Sequence, residues 1–147
     1  MTLPDEMFDR EAPPGLRFLG AWIAPLGGAG ARRDPKRDTL PFTLLQRYDG
    51  HQDKVTDRGF YQLDHLAKAD GSKTAYTACE DYARLVQRRI LYLRDHTWTE
   101  VDVPDWGLAT ADFVKEIESY HDEPFADPQI VRMVSRFQID LRLVPVP

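Results

Sequence analysis

The chain has 147 residues, a formal net charge of −5 and 29% charged residues, which suits one domain with an ordinary solvated surface. That balance excludes an overall pull toward nucleic acid or anionic lipid, and no apolar run approaches the length of a membrane span. The single cysteine, Cys79, leaves no internal disulfide to form within this sequence, and on an apolar helical stripe it reads as a small core residue in a reducing compartment.

In chain order, Met1 to Pro14 is acidic and proline-bearing and is expected to be a flexible N-terminal arm, ahead of a single domain over residues 15–147. Its acidic residues Asp5, Glu6, Asp9 and Glu11 are unlike the basic start of a signal peptide, so a cytoplasmic chain is expected. Leu16, Leu19, Trp22, Ile23 and Leu26 have helical spacing, and Pro25 limits that helix to about two and a half turns. Gly27 to Asp38 reads as a glycine-rich, then basic linker carrying Arg32, Arg33, Lys36 and Arg37. A phosphate-contacting patch and a solvated loop are both open; the loop is favoured because no aromatics are interleaved and Asp34 and Asp38 dilute the charge. Leu40 to Tyr48 is the first strand, with Phe42 and Leu44 inward, and Asp49-Gly50 signals a turn. His51 to Arg58 is polar and expected to loop. Gly59 to Ala67 is the second strand, with Tyr61, Leu63 and His65 on one face and Phe60 and Leu66 on the other.

Lys73 to Arg94 predicts a helix of about six turns. Cys79, Ala83, Val86, Ile90 and Leu93 form its apolar stripe, widened by Tyr76, Tyr82 and Leu85. Ser72 is expected to cap it, and Arg88, Arg89 and Arg94 suit the negative end of its dipole. Trp98 to Val103 follows as a short strand, Pro104 to Thr110 as a loop with Trp106 and Gly107, Phe113 to Tyr120 as a strand and His121 to Pro128 as a connector. From Ile130 to Val144 the pattern alternates. Val131, Met133, Phe137, Ile139, Leu141 and Leu143 take one side, and Arg132, Arg136, Gln138, Asp140 and Arg142 the other. That is a long strand with one buried face. The predicted class is α+β: an antiparallel or mixed sheet packed against one long helix, about residues 73–94, plus a short N-terminal helix.

Motifs that carry chemistry are sparse. His51, His65, His96 and His121 have no metal-ligand spacing. Asp64-His65 reads as a half-polar strand position or half of a catalytic pair. His51, Asp53 and Asp57 read as a plain loop or a hard-cation cluster. Gly27-Gly28-Ala29-Gly30 lacks the Lys-Ser/Thr of a phosphate loop, and no serine has a nucleophile-elbow context. No catalytic, cofactor-binding or metal residue is assigned, and no cofactor is expected. Two surface features stand out. Asp112, Glu116, Glu118, Asp122, Glu123 and Asp127 crowd around a single Lys115. They form either a solvated strand face or a surface that repels phosphate beside a nucleic-acid channel. Val134, Val144, Tyr120, Phe60, Leu66 and Leu45 take the parity opposite the expected core, and Trp98 and Trp106 lie near solvent. This apolar remainder reads as a partner or oligomer interface, or as a second buried layer.

Several strings resemble a known family. Leu40-Pro41-Phe42-Thr43-Leu44-Leu45-Gln46-Arg47, then Gly50, then Thr56-Asp57, then the alanine-bearing helix from Ala75 to Leu93, is similar to the tail terminator proteins of long-tailed phages of actinobacteria. Pro124-Phe125-Ala126-Asp127-Pro128-Gln129-Ile130-Val131-Arg132 resembles that family's aromatic, Asp or Asn, Pro, Arg lead-in to its last strand. The likeness covers about Leu16 to Leu143. It implies an α+β, tail-terminator-like subunit in a hexameric ring at the head–tail junction of the virion, assembled in the host cytoplasm. Such a ring caps the tail tube protein, ends polymerisation, and joins the head completion or stopper protein, with DNA passing through its centre. The family has no catalytic residues to carry over. On that expectation Trp106, Tyr120, Val134, Arg32, Arg33 and Arg37 are interface candidates. Asp112, Glu116, Glu118, Asp122 and Glu123 are candidates for an acidic lumen or interface. The alternatives are another head–tail connection protein, a stopper or tube-like subunit, and, from a different class, a small enzyme.

Overall fold

The alternating C-terminal stretch forms the centre of a sheet. The computed structural model describes residues 10–145. In chain order its elements are β1 (Arg10–Glu11), α1 (Gly15–Ile23), β2 (Gly28–Gly30), β3 (Phe42–Gln52), β4 (Thr56–Lys68), α2 (Ala75–Asp95), β5 (Val101–Val103), β6 (Gly107–Ala109), β7 (Ala111–Glu123), β8 (Ile130–Arg142) and β9 (Val144–Pro145). The main sheet has five strands in the order β2-β3-β4-β8-β7, and two-stranded sheets β1-β9 and β5-β6 flank it. β2 runs parallel to β3, and every other pair in the main sheet is antiparallel. β4 and β8 pair from Thr56↔Arg142 to Lys68↔Ile130 without a register shift. That unbroken register keeps one parity of both strands on one face.

Both helices pack on that face. Tyr61, Leu63, Phe137, Ile139 and Leu141 meet Phe18, Leu19 and Ile23 of α1 and Val86, Ile90 and Leu93 of α2 in one core. Side chains of this kind, fully buried, contribute about 1.5–3 kcal/mol each relative to exposure. A smaller cluster, Ala67, Cys79, Ala83 and Met133, seats the first turns of α2. Thr74, not Ser72, caps α2, its hydroxyl accepting from the Thr77 amide at 3.2 Å. Tyr76 and Leu85, expected to widen the buried stripe, are 49% and 42% exposed.

The expected α+β arrangement, a sheet against one long helix plus a short N-terminal helix, is corrected by this structure. The described residues are 48% strand and 22% helix, so the protein is mostly β, with two helices and a five-stranded mixed sheet. Four local causes account for the difference. The nine-residue α1 buries Phe18, Leu19 and Ile23 completely, so the long helix does not cover the sheet by itself. The glycine run read as linker supplies β2: a Cβ on Gly28 would stand 2.4 Å from the Phe42 ring, an approach that glycine alone permits. The Asp53 carboxylate accepts from the Val55 and Thr56 amides at 2.8 Å each. That tight turn carries the polar residues His51, Gln52, Asp57 and Arg58 into β3 and β4 instead of a loop. Finally, Asp105 and Gly107, at φ 58° and 138°, turn the expected loop after Val103 into the β5–β6 hairpin. Of the expected N-terminal arm, residues 1–9 lie outside the described residues, and Arg10–Glu11 pair with Val144–Pro145.

Candidate interaction surfaces

The sheet face opposite the helices is polar and internally paired. Arg132 Nε lies 3.0 Å from Asp64 Oδ2, Arg58 Nε 3.5 Å from Asp140 Oδ2, Arg136 Nε 3.5 Å from Glu118 Oε2, and Arg142 Nε 3.0 Å from Asp112 Oδ2. Arg136 also donates to Gln62 Oε1 at 3.1 and 3.2 Å. These pairs follow from register: the arginines on one parity of β8 stand beside acids and amides of β4 and β7. The three pairs that keep solvent contact at both partners contribute about 0.2–1 kcal/mol each, and their effect is to compensate charge rather than to hold the fold; in the fourth, Asp140 is buried. His121 sits between Glu118 at 3.3 Å and Glu123 at 3.0 Å. Its pKa is raised, first by its bond to the Ser119 carbonyl and then by those carboxylates.

The predicted site residues are spread over several surfaces. The acidic group divides. Asp112, Glu118 and Glu123 are tied to Arg142, Arg136 and His121, while Glu116 turns to the helix side and accepts from Gln87 at 2.6 Å. Asp122 is exposed. Of the basic group, Arg32, Lys36 and Arg37 are exposed, Arg37 lies 3.4 Å from Asp34, and Arg33 is half-buried. Val134 is buried, with Asp64 opposite it on β4 and His121 on β7. β7 carries register shifts near Phe113, Glu118 and His121, and these bulges swing Tyr120 onto the Ala67–Met133 cluster under α2. Trp106 is half-buried against the main core. Leu45 and Leu66 are buried as well.

Exposed apolar surface lies elsewhere. Trp98 and Leu108, at 83% and 57%, stand beside and on the β5–β6 hairpin, and Leu85 and Tyr92 on the outer side of α2. Where α1 crosses α2, Trp22 Nε1 donates to the Arg89 carbonyl at 2.7 Å, Arg89 Nε donates back to the Trp22 carbonyl, and the guanidinium covers the indole at 3.9 Å. This reciprocal contact combines two backbone-directed hydrogen bonds with a cation–π pair. Beside it opens a groove of about 540 Å³ lined by Trp22, Leu26, Leu85, Arg88, Arg89, Tyr92 and Thr99. Sequence reading missed this groove. Its signal was the pairing of Leu85, Arg88 and Tyr92 at helical spacing on the side left over from the core stripe.

One buried constellation looks chemical. His65 Nδ1 lies 3.1 Å from Thr43 Oγ1 and Nε2 lies 3.0 Å from Ser135 Oγ, while Thr43 Oγ1 lies 2.7 Å from the Tyr82 hydroxyl. The strand alternation that packs Tyr61 and Leu63 inward brings His65 inward too. Burial pushes its imidazole down to about 3 and the Tyr82 phenol up to about 12. His65 and Ser135 are 1% and 2% exposed, so this chain fills a polar gap in the core and meets no solvent-borne substrate. Burial likewise raises the Cys79 thiol to about 11. Among the described residues no group of His, Cys, Asp and Glu is placed to hold a metal ion, and no helix is long and apolar enough to cross a membrane. No protein-family model matches the chain, and no curated protein matches it at significant similarity.

Proposed function

We propose that this chain is a structural subunit of a phage head–tail junction, a tail terminator. It would close the tail tube with a hexameric ring, end tube polymerisation, and present the other side of the ring to a head completion protein, with DNA passing through. The observation that carries this reading is the resemblance of two strings, Leu40–Asp57 and Pro124–Arg132. Their contacts give the resemblance a physical sense. In the first, Arg47, midway along β3 and just before its register shift, clasps Asp57 of the Thr-Asp pair at 2.7 and 2.9 Å. In the second, Asp127 Oδ1 accepts from the Gln129 amide at 2.9 Å, and Arg132 donates to the Pro124 carbonyl at 3.3 Å and to Asp64. Both strings thus serve to fix connections between strands, which suits a part whose output is shape. The self-compensated outer face also suits a surface that DNA passes without being held.

The test is assembly. Purified protein is mixed with tail tubes and viewed by negative-stain electron microscopy, with native mass spectrometry in parallel. Rings of six copies that cap tube ends are expected. A protein that stays monomeric in every condition, tubes included, overturns the assignment.

A further inference from the structure

The groove beside the Trp22–Arg89 crossing and the chain leading into β5 belong to one patch. Thr99 lines the groove, while its neighbours Trp98 and Glu100 are exposed. Exposure alternates from there: Trp98, Glu100 and Asp102 face solvent, and Val101 and Val103 are buried. An indole and two acids therefore stand in one row on one side of the groove. Leu108, opposite Asp102 in the hairpin, is exposed with them. The other side belongs to α2, which contributes Leu85, Arg88 and Tyr92. The Trp98 indole does not fill the groove of its own subunit, since it is 83% exposed. Arg88 is exposed and has no carboxylate partner among the described residues, and Glu100 and Asp102 have no cation there. The patch thus holds a knob beside a hole and acids beside a base, none of them satisfied within the subunit. Such a surface is complementary to itself after a half-turn.

We infer that two copies pair face to face through this patch, the Trp98 indole of each seated in the groove of the other and the Glu100–Asp102 row of each facing the other's Arg88. The contact is isologous, so each interaction is made twice and the assembly closes at two copies. The groove volume lies within the range of sites that engulf a bulky apolar group, about 300–1,000 Å³. Burial of the two indoles supplies the affinity, and the charges set the orientation, since the unrotated arrangement would put acids against acids. This dimer goes beyond the ring reading and does not depend on it, because the contacts of a ring are heterologous. The two meet in one consequence: a copy held in the dimer has its indole covered, so it must leave the dimer before that side chain can serve a ring.

The experiment is sedimentation velocity on the full-length protein without tail tubes, over a range of concentrations. Three variants are compared with the wild type: Trp98→Ala, Arg88→Glu, and a charge exchange that combines Arg88→Glu with Glu100→Arg and Asp102→Arg. All of these positions are exposed, and circular dichroism checks folding. The wild type is expected to pass from monomer to dimer and to stop there. Trp98→Ala and Arg88→Glu are each expected to raise the midpoint at least tenfold, and the charge exchange is expected to bring it back toward the wild-type value. A wild type that stays monomeric or grows past two copies overturns the pairing. So does a dimer that survives Trp98→Ala, or one that Arg88→Glu abolishes and the charge exchange does not restore. Capping of tail tubes is scored separately, so loss of the dimer leaves the ring reading standing, and failure to cap leaves the dimer standing.

Discussion

The Arg47 guanidinium holds both carboxylate oxygens of Asp57, Nη1 at 2.7 Å and Nη2 at 2.9 Å, across the β3–β4 hairpin. The two partners are not equivalent. Asp57 is 5% exposed, whereas Arg47 keeps contact with solvent and also donates to the Asp49 and Arg58 carbonyls. Its pKa is raised above the ordinary arginine value, first by the bond to Asp57. Removing the arginine strands a buried carboxylate; removing the acid leaves a cation with other acceptors. Arg47→Ala is therefore expected to cost about 2–3 kcal/mol, the upper part of the range for leaving a buried acceptor without its partner. Asp57→Ala is expected to cost about 1–2 kcal/mol. Urea melts of the two variants check the order, and equal or reversed losses would show that the pair is not held as described.

The final strand sets the core. Ile139 is fully buried between Gly59 of β4 and Val114 of β7 in register, facing the helices. Ile139→Ala is expected to cost about 2–5 kcal/mol. Gln138 lies on the opposite face and is only half-buried, so Gln138→Ala is expected to change stability by less than about 0.5–1 kcal/mol. Comparable losses at the two positions would contradict the assignment of faces.

Parity along β8 and the stripe Cys79, Ala83, Val86, Ile90 and Leu93 were legible because each is a periodic pattern whose burial the structure repeats. Three things were not legible, each for a physical reason. A three-residue glycine strand has no side-chain alternation to read, so β2 passed for a linker. Bulges break period two, so the face of Tyr120 could not be counted from Phe113. The partners of Arg132, Arg136 and Arg142 depend on which strands flank β8, a long-range fact that local pattern does not contain. The same holds for the groove, which exists only because Trp22 and Arg89, far apart in the chain, lock two helices together.

Buried His65 predicts an acid sensitivity. Its imidazole falls from 6.5 to about 3 on burial. The unfolded chain takes up the proton as pH drops below 6.5, and the folded chain does so only near 3. The stabilisation is thus full above 6.5 and declines by up to about 1.4 kcal/mol per pH unit below it. It is exhausted near the folded value. His121 acts in the opposite sense, since its raised pKa adds stability that is present at low pH and lost as pH rises through the folded value. The comparison is therefore made in a His121→Gln background. Urea melts at pH 7.5, 6.5 and 5.5 are expected to show a fall that adding His65→Gln abolishes, although His65→Gln lowers stability at every pH. A His121→Gln protein equally stable at pH 7.5 and 5.5 would refute the neutral, buried imidazole.

The last prediction separates two kinds of contact in the proposed ring. Opposite charges on neighbouring copies, such as the Arg32–Arg37 linker against the Asp112–Asp127 region, would weaken as the Debye length shrinks from about 10 Å at 0.1 M salt to about 3 Å at 1 M. Most acids of that region are already committed within their own subunit: Asp112 to Arg142, Glu116 to Gln87, Glu118 to Arg136, Glu123 to His121. Little free charge remains there for a neighbour. An interface anchored by exposed apolar side chains, Trp98 and Leu108 among them, is not screened by salt, and the hydrophobic term changes little or strengthens. Rings are therefore expected to persist from 0.1 to 1 M sodium chloride in sedimentation, and Arg32→Ala with Arg37→Ala is expected to leave them intact. Rings that dissolve at 1 M and fail to form in the double variant would place the basic linker, rather than the exposed apolar surface, at the subunit contact.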